Sequence, residues 1–144
     1  MLFPVTYRVN ARRRIEIGGC DLAELAAEHG TPLYIYDEDT VRQRAAEFVS
    51  AIGDAGEVLY SAKAFASPAF LQVVAEEGMG LDVVSAGELQ IAQAAGFPAE
   101  WIYFLGNNKS AEELDLAFRA GCTPKANCLR IITRILEKAS MKNA

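Results

Sequence analysis

A repeated pattern of helix boundaries constrains this chain more than any other feature. In three segments a serine is followed by a glycine eleven residues later: Ser67 and Gly78, Ser85 and Gly96, Ser110 and Gly121. Serine at a helix N-cap satisfies free backbone amides, and glycine past the last turn adopts the left-handed conformation without strain. Apolar residues recur at helical spacing between the two ends. The pattern predicts three helices that are built alike.

A short apolar run precedes each of these helices. The three runs are Val58–Tyr60, Leu81–Val84 and Trp101–Leu105. Strands of this length that alternate with helices form right-handed βαβ units around a parallel sheet. The predicted fold class is therefore α/β, and both a closed barrel and an open sheet fit the pattern.

The part of the chain before these units predicts different elements. Asp21–Gly30 is typical of a short capped helix, Leu33–Tyr36 of a strand, and Asp37–Gly53 of a longer helix. The residues of the longer helix expected to face inward are Val41, Ala45, Phe48, Val49 and Ile52. Residues 1–18 alternate in polarity and predict antiparallel strands or a hairpin.

The composition fits a globular protein and excludes several classes of function. Apolar residues make up 51% of the chain and the net charge is −5, so no basic face is offered to nucleic acid or anionic lipid. The chain has neither a signal-peptide pattern nor an apolar run of about 18–20 residues, so we expect a cytoplasmic protein without membrane contact. Cys20, Cys122 and Cys128 contain no C-x-x-C pair, which favours reduced thiols over a disulfide framework or a metal site.

Residues 122–144 differ from the rest of the chain. They hold five basic residues and one acid, so their net charge is +4, which leaves −9 for residues 1–121. Pro124 makes Thr123–Cys128 poor strand material. Leu129–Ala139 predicts a basic amphipathic helix.

Functional side chains in parallel βα folds collect just past the carboxyl ends of the strands. This rule selects Lys63, Asp82–Ser85 and Gly106–Lys109, which should share one face. Lys63 lies among small and apolar neighbours, where desolvation would disfavour the ammonium form, as Schiff-base chemistry with an aldehyde requires. A lysine whose side chain reaches solvent from a strand end is the alternative.

The other selected positions also have structural explanations. Asp82 lies within an apolar strand and would need a cationic partner such as Lys63 or a later arginine, unless it is solvated at the strand end. Ser85 as an N-cap and Glu88 as the third residue of a capping box are explained without chemistry. Gly106–Lys109 could hold an anion at a helix N-terminus or simply connect two elements. His29, the only histidine, is predicted to complement a helix dipole at the surface.

Read together, these segments resemble the diaminopimelate decarboxylases, a branch of the pyridoxal-phosphate barrel decarboxylases of fold type III. The likeness runs from Asp21 to Gly121, and four motifs carry it in the family's order: Leu25–Asp37, Tyr60–Ala64, Gly80–Leu89 and Gly106–Ser110. The last motif favours this branch over ornithine or arginine decarboxylases and alanine racemases. The resemblance implies the first three βα units of a (β/α)8 TIM-type barrel, preceded by a short β segment that would belong to the family's β domain. The implied domains are residues 1–20, 21–121 and 122–144.

The resemblance also implies the site. Lys63 would be the catalytic residue and would bind the cofactor, pyridoxal 5'-phosphate, covalently. The other implied cofactor-binding residues are Asp82, Ser85 and Glu88. Asn107 and Asn108 would contact the substrate or support these residues, and no metal is implied.

The implied reaction is the loss of carbon dioxide from meso-diaminopimelate to give L-lysine, in a homodimer that acts on a small amino acid. The chain departs from the family at Leu105, where many members carry a histidine, and after Gly121. A full barrel needs about 250 residues, so we expect a truncated or frame-disrupted chain that is inactive alone. The alternatives are another fold type III enzyme, or a non-catalytic fragment that binds pyridoxal phosphate weakly.

Overall fold

The computed structural model describes residues 3–106 and 109–124, the last two by their backbone alone. The chain divides into two compact units, Met1–Ala51 and Ile52–Ala144. The domain boundaries after residues 20 and 121 stay predictions. The helix predicted over Leu129–Ala139 lies outside the described residues.

The first unit contains a three-stranded antiparallel sheet and two helices. Its strands are β1 (Arg8–Val9), β2 (Ile15–Ile17) and β3 (Cys20–Asp21), in that order across the sheet, and its helices are α1 (Leu22–His29) and α2 (Glu38–Ile52). The predicted hairpin and both predicted helices are confirmed.

Side-chain caps explain where these two helices begin. Asp21 accepts hydrogen bonds from the amides of Ala23 at 2.9 Å and Glu24 at 3.3 Å. Asp37 accepts from the Thr40 amide at 3.2 Å and from the Thr6 hydroxyl at 2.7 Å, which ties α2 to the segment before β1. Each carboxylate thus satisfies amides that have no partner within the helix.

Two predictions for the first half of the chain are wrong. Leu33–Tyr36 forms no strand, and the side chain of Tyr34 is 88% exposed. Among the inward positions predicted for α2, Phe48 is 62% exposed and Ile52 is 42% exposed, whereas Ala45 is buried. Both patterns depend on a neighbouring element to pair with or pack against, which local periodicity does not specify.

The second unit alternates strands with helices. In chain order its elements are β4 (Leu59–Ser61), α3 (Pro68–Glu76), β5 (Gly80–Val83), α4 (Ala86–Ala94), β6 (Ile102–Phe104), α5 (Ala111–Ala120) and β7 (Thr123–Pro124), with 3₁₀ turns at Gly53–Ala55 and Ala99–Trp101. The four strands are parallel and lie in the order β4-β5-β6-β7. The predicted α/β class is confirmed.

The repeated serine and glycine positions act as the sequence predicts. Ser67, Ser85 and Ser110 each accept a hydrogen bond from the amide three residues ahead. The closing glycines have φ values of 76°, 71° and 76° at Gly78, Gly96 and Gly121, respectively. These conformations cost little for glycine and much for other residues, so each helix ends where its glycine stands.

The fourth parallel strand corrects another prediction. β7 pairs with β6, with Thr123 opposite Tyr103 and Pro124 opposite Phe104, although proline argued against a strand here. Within the described residues β7 lies at the sheet edge, where proline is tolerated because the edge needs hydrogen bonds on one side only.

The core of the second unit lies on one face of the sheet. Leu81, Val83, Ile102 and Phe104 are at most 1% exposed, and they alternate with residues of the opposite face. The buried stripes of the three helices complete this core with Leu71, Val74, Leu89, Ala92, Leu114 and Ala117. Burial of each large side chain contributes about 1.5–3 kcal/mol. None of the helices in residues 3–106 and 109–124 is long and apolar enough to span a membrane.

The close approach of β4 and β5 at Gly80 generates the first prediction. A Cβ atom at this position would lie 2.5 Å from Leu59 Cδ2, 2.8 Å from Glu57 Oε1 and 3.2 Å from the Trp101 carbonyl oxygen. The side chains can move, but the backbone carbonyl cannot do so cheaply. We expect Gly80→Ala to lower the free energy of unfolding by about 1–2 kcal/mol in urea titrations.

Gly87 provides the matched control, because it lies inside α4 and a Cβ atom there would meet nothing closer than Ser85 Oγ at 4.0 Å. Gly87→Ala should raise the free energy of unfolding by up to about 1 kcal/mol through helix propensity. Equal losses in the two variants would contradict the steric explanation.

The cap of α2 generates a prediction about acid stability. Burial raises the pKa of Asp37, but hydrogen bonds from Thr40 and Thr6 lower it more, so the pKa lies below its usual value. A carboxylate with a lowered folded-state pKa stabilises the fold above its unfolded-state pKa, and this stabilisation is lost as the pH falls through the folded-state pKa. The urea midpoint should therefore fall below about pH 4, and Asp37→Asn should reduce that dependence.

The pKa values of Asp21 and Glu16 are also lowered, so part of the acid dependence will remain in this variant. Asp39→Asn, which changes an exposed carboxylate in the same turn of α2, serves as the control and should keep the full dependence. A similar flattening in both variants would show that the Asp37 cap is not its source.

Candidate functional site

A row of three polar side chains crosses the sheet. Ser61 is paired with Asp82, and Asp82 with Tyr103, in the parallel register. Paired residues of neighbouring strands project to the same face, so this row lies opposite the buried face that Leu81 and Ile102 share. Ser61 Oγ lies 3.3 Å from Asp82 Oδ2 and donates a hydrogen bond to it. The second face of the sheet therefore presents polar side chains that can bind a ligand, where a packing face would present apolar ones.

The three connections that leave these strands begin at one edge of the sheet. The Ala62 amide donates to the Asp82 carbonyl at 2.8 Å, and the Leu105 amide donates to the Val83 carbonyl at 2.9 Å. Hydrogen-bond pairing thus extends one residue past the ends of β4 and β6. Lys63 and Gly106 are the next residues along the chain. The expectation that these segments meet at one edge is confirmed.

Lys63 lies in the turn after β4, and its side chain is exposed. The preceding Ala62 is 1% exposed, and the Ala64 amide donates to the Ser61 carbonyl at 3.0 Å, which closes a tight turn. The expectation that neighbouring residues desolvate Lys63 is wrong for the described residues, because the small residue packs inward while the lysine points out. The catalytic role of Lys63 stays a prediction.

Asp82 is the unusual group of this edge. Its Oδ1 atom is buried and has no hydrogen-bond partner among the described residues, while Oδ2 accepts from Ser61. A buried polar atom without a partner costs about 1–3 kcal/mol, and more when it carries charge. An arrangement this costly is typical of a functional site, where a bound group supplies the missing partner.

Ser85 and Glu88 lie where the sequence places them, at the N-terminus of α4. Ser85 Oγ accepts from the Glu88 amide at 3.3 Å. The Glu88 side chain accepts from the Val84 amide at 2.7 Å, whereas the capping box predicted a bond to Ser85. Both side chains hold the turn that leaves β5, and their predicted contact with a cofactor stays a prediction. Asn107 and Asn108 lie outside the described residues.

Lys109 is the residue that sequence reasoning left without a role. Its Nζ donates a hydrogen bond to the Val84 carbonyl and lies 3.7 Å from the centroid of the Phe104 ring. Burial lowers the pKa of Lys109 more than the carboxylates of Glu113, Glu88 and Asp82 raise it. The expected cation near Asp82 was Lys63 or a later arginine, but the charge that acts on Asp82 here belongs to Lys109. The sequence offered one signal for such a role, which is that Lys109 closes the Gly106–Lys109 segment after a predicted strand.

The edge combines several groups that suit a carbonyl compound with polar substituents. An exposed amine can add to an aldehyde, an unpaired carboxylate oxygen can accept from an N–H or O–H group, and helix N-termini favour anions. His29, by contrast, is an exposed residue in the last turn of α1. Among residues 3–106 and 109–124, no three histidine, cysteine or acidic side chains lie close enough to hold a metal ion.

Comparison with known proteins connects this geometry to a family. The sequence profile of the pyridoxal-dependent decarboxylases, for their pyridoxal binding domain, matches residues 38–141. A diaminopimelate decarboxylase of Bacillus subtilis is 53% identical over 122 residues, which are 81% of this chain and 28% of that protein. One from Mycobacterium tuberculosis is 47% identical over 105 residues, which are 73% of this chain and 24% of that protein. These relatives confirm the resemblance that the four motifs indicated.

Solved structures agree with the sequence relatives. A diaminopimelate decarboxylase from M. jannaschii in complex with L-lysine is 34% identical with a TM-score of 0.71, over 85% of this chain and 30% of that one. A lysine/ornithine decarboxylase from Vibrio vulnificus in complex with putrescine is 26% identical with a TM-score of 0.63, over 70% of this chain and 28% of that one. The chain spans less than a third of the length of these four relatives.

The orphaned oxygen of Asp82 generates the prediction for this site. Asp82→Asn replaces a carboxylate whose Oδ1 is buried without a partner by a neutral amide, so we expect the free energy of unfolding of the ligand-free chain to rise by about 1 kcal/mol. The attraction to Lys109 that is lost is smaller, since charges that are not in direct contact near the surface interact by less than about 1 kcal/mol. Urea titration at neutral pH measures the difference.

Asp115→Asn is the control, because Asp115 forms an exposed ion pair with Arg119 at 3.4 Å within α5. It should lower the free energy of unfolding by no more than about 0.5 kcal/mol. Destabilisation by Asp82→Asn would show that the charge of Asp82 is already compensated in the ligand-free chain.

Proposed function

We propose a function from one premise, which is that this chain belongs to the pyridoxal-dependent decarboxylase family. Lys63 binds pyridoxal 5'-phosphate covalently through Nζ, with Asp82, Ser85 and Glu88 around the cofactor. The reaction is the decarboxylation of meso-diaminopimelate to L-lysine. The curated relatives that match most of this chain carry the name of that activity, which supports this substrate over other amino acids.

The observation that carries the proposal is the unpaired Oδ1 of Asp82 at the edge where Lys63 emerges. Asp82 is in register with Ser61, and Lys63 follows Ser61 by two residues, so both functional groups belong to the same sheet edge. Pyridoxal phosphate fits such a pair, since its aldehyde reacts with an amine and its ring carries groups that can donate to a carboxylate. The residues present therefore suit the group that the family binds.

Each residue has a part that its position supports. The exposed turn leaves the Lys63 amine accessible to an aldehyde. Asp82 offers a carboxylate oxygen inside the sheet edge, where a bound donor is shielded from water. Ser85 and Glu88 fix the turn after β5 that follows Asp82. When bound, pyridoxal phosphate supplies an electron sink for the charge left as carbon dioxide departs.

The architecture is part of the same proposal. Four parallel strands, with a buried apolar face on one side and a polar row on the other, fit the first part of a (β/α)8 TIM-type barrel. In such a barrel the row from Ser61 to Tyr103 faces the interior, and the active site lies at the carboxyl ends of the strands. As in the family, we infer a homodimer with sites at the subunit interface and Asn107 and Asn108 near the substrate.

We infer a cytoplasmic location, without nucleic-acid or membrane partners. The net charge of −5 gives no basic surface, and Cys20 and Cys122 are free thiols in the structure, as a reducing compartment allows.

The covalent link is tested by incubating the chain with pyridoxal phosphate, reducing with borohydride and mapping the adduct by mass spectrometry. We expect the label to concentrate at Lys63 among the five lysines of the chain, and Lys63→Ala to remove both the label and the yellow absorbance. Label spread evenly over all five lysines would contradict the proposed site.

The reaction is tested on a version extended to the length of the relatives. It should release L-lysine from meso-diaminopimelate, and Lys63→Ala should reduce the rate by at least about a thousandfold. Turnover of ornithine or arginine, or racemisation of alanine, in place of lysine release would assign the chain to another branch.

The exposure of Lys63 favours one further candidate, weak cofactor binding without catalysis, which would give label at Lys63 and no turnover.

A further inference from the structure

Lys109 is held in place by two strands. Its Nζ donates to the carbonyl of Val84, the first residue after β5, and lies over the ring of Phe104, the last residue of β6, at 3.7 Å from the centroid. A cation over an aromatic face and a charged donor on a carbonyl are both favourable, and partial burial strengthens them. The lysine therefore ties the end of one strand to the end of its neighbour.

Three carboxylates on three different elements act on the Lys109 ammonium. Glu88 on α4, Glu113 on α5 and Asp82 on β5 all act on its ammonium. Glu88 and Glu113 occupy the first turns of their helices, where the helix dipoles alone would repel a cation. The two glutamates offset that repulsion, which leaves a positive group beside the strand that carries Asp82.

Gly106 makes room for this ammonium. Its φ is 132°, and a Cβ atom there would lie 3.0 Å from both Cε and Nζ of Lys109. A Cβ atom would press on the end of the lysine side chain, which would have to shift, and the backbone conformation itself favours glycine. Gly106 therefore leaves space for the Lys109 ammonium.

We propose that Lys109 is a positioning residue, which fixes the β5–α4 turn through its bond to the Val84 carbonyl. Its bond to Val84 lies between Asp82 and Ser85, two of the residues assigned to the cofactor. This inference rests on the proposed function for its purpose, but the hold on the turn exists in the ligand-free chain. Its Nζ is engaged by the Val84 carbonyl and the Phe104 ring, which leaves Lys63 as the amine that the proposed function assigns to the cofactor.

The hold on the turn is tested without any cofactor, by amide hydrogen exchange in residues 84–89. Lys109→Met should speed exchange in this segment about tenfold, because it removes the donor and the cation together. Lys109→Arg keeps both and should restore most of the protection. Arg119→Met, which removes an exposed cation from α5 away from the edge, is the matched control and should leave the segment unchanged.

Lys109→Gln removes the charge and keeps a donor, so it replaces the methionine variant if that variant fails to fold, with a smaller increase expected. Unchanged exchange in residues 84–89 in the neutral variant, or the same increase in Arg119→Met, would overturn the inference. Exchange that increases equally over the whole chain would overturn it too, since it would indicate general destabilisation.

The link to the cofactor is tested by the borohydride labelling described above. At equal pyridoxal phosphate concentration, Lys109→Met should lower the labelled fraction at Lys63 several-fold, while Lys109→Arg and Arg119→Met stay near the unchanged chain. Label at Lys109 as strong as at Lys63 in the unchanged chain would overturn the inference, because a held ammonium would not compete. Label spread evenly over all lysines would instead contradict the proposed function. The exchange experiment would still decide whether Lys109 holds the turn.

Discussion

The parallel register of β4, β5 and β6 determines which polar side chains meet across the sheet. Because Ser61 pairs with Asp82 and Asp82 with Tyr103, polar side chains that are distant in sequence form one row. The same register makes the three strands end together, so their connections leave from one edge. A shift of one residue in either pairing would turn Asp82 toward the apolar core, where an ionised carboxylate is not tolerated.

This register is stable because one face of the sheet is apolar and buried, while the other carries the polar row. Leu81, Val83, Ile102 and Phe104 lie on the face with the core and supply the hydrophobic stabilisation. That face can offset the cost of an unpaired carboxylate oxygen on the other side. Asp82 therefore illustrates a general compromise, in which the stability of one face allows a buried polar atom without a partner on the other.

Local signals made the second unit predictable, whereas signals that depend on distant residues failed. Serine caps and closing glycines act within one helical turn, so Ser85 and Gly96 mark α4 whatever surrounds it. A strand depends on pairing with residues distant in sequence, and Leu33–Tyr36, apolar as it is, forms no strand. The edge position that accepts Pro124 is likewise a property of the sheet as a whole. In the site, the strand-end rule located Lys63 and Asp82, but the exposure of Lys63 and the contacts of Lys109 depend on how loops fold back.

The two lysines at this edge differ in access. Burial lowers the pKa of Lys109, which favours the neutral amine that addition to an aldehyde requires. Yet its Nζ already donates to Val84 and lies against the Phe104 ring, so addition to an aldehyde would cost both contacts. The side chain of Lys63, in the turn after β4, is exposed. The fold thus engages one of two chemically identical amines in contacts with its neighbours and leaves the other accessible.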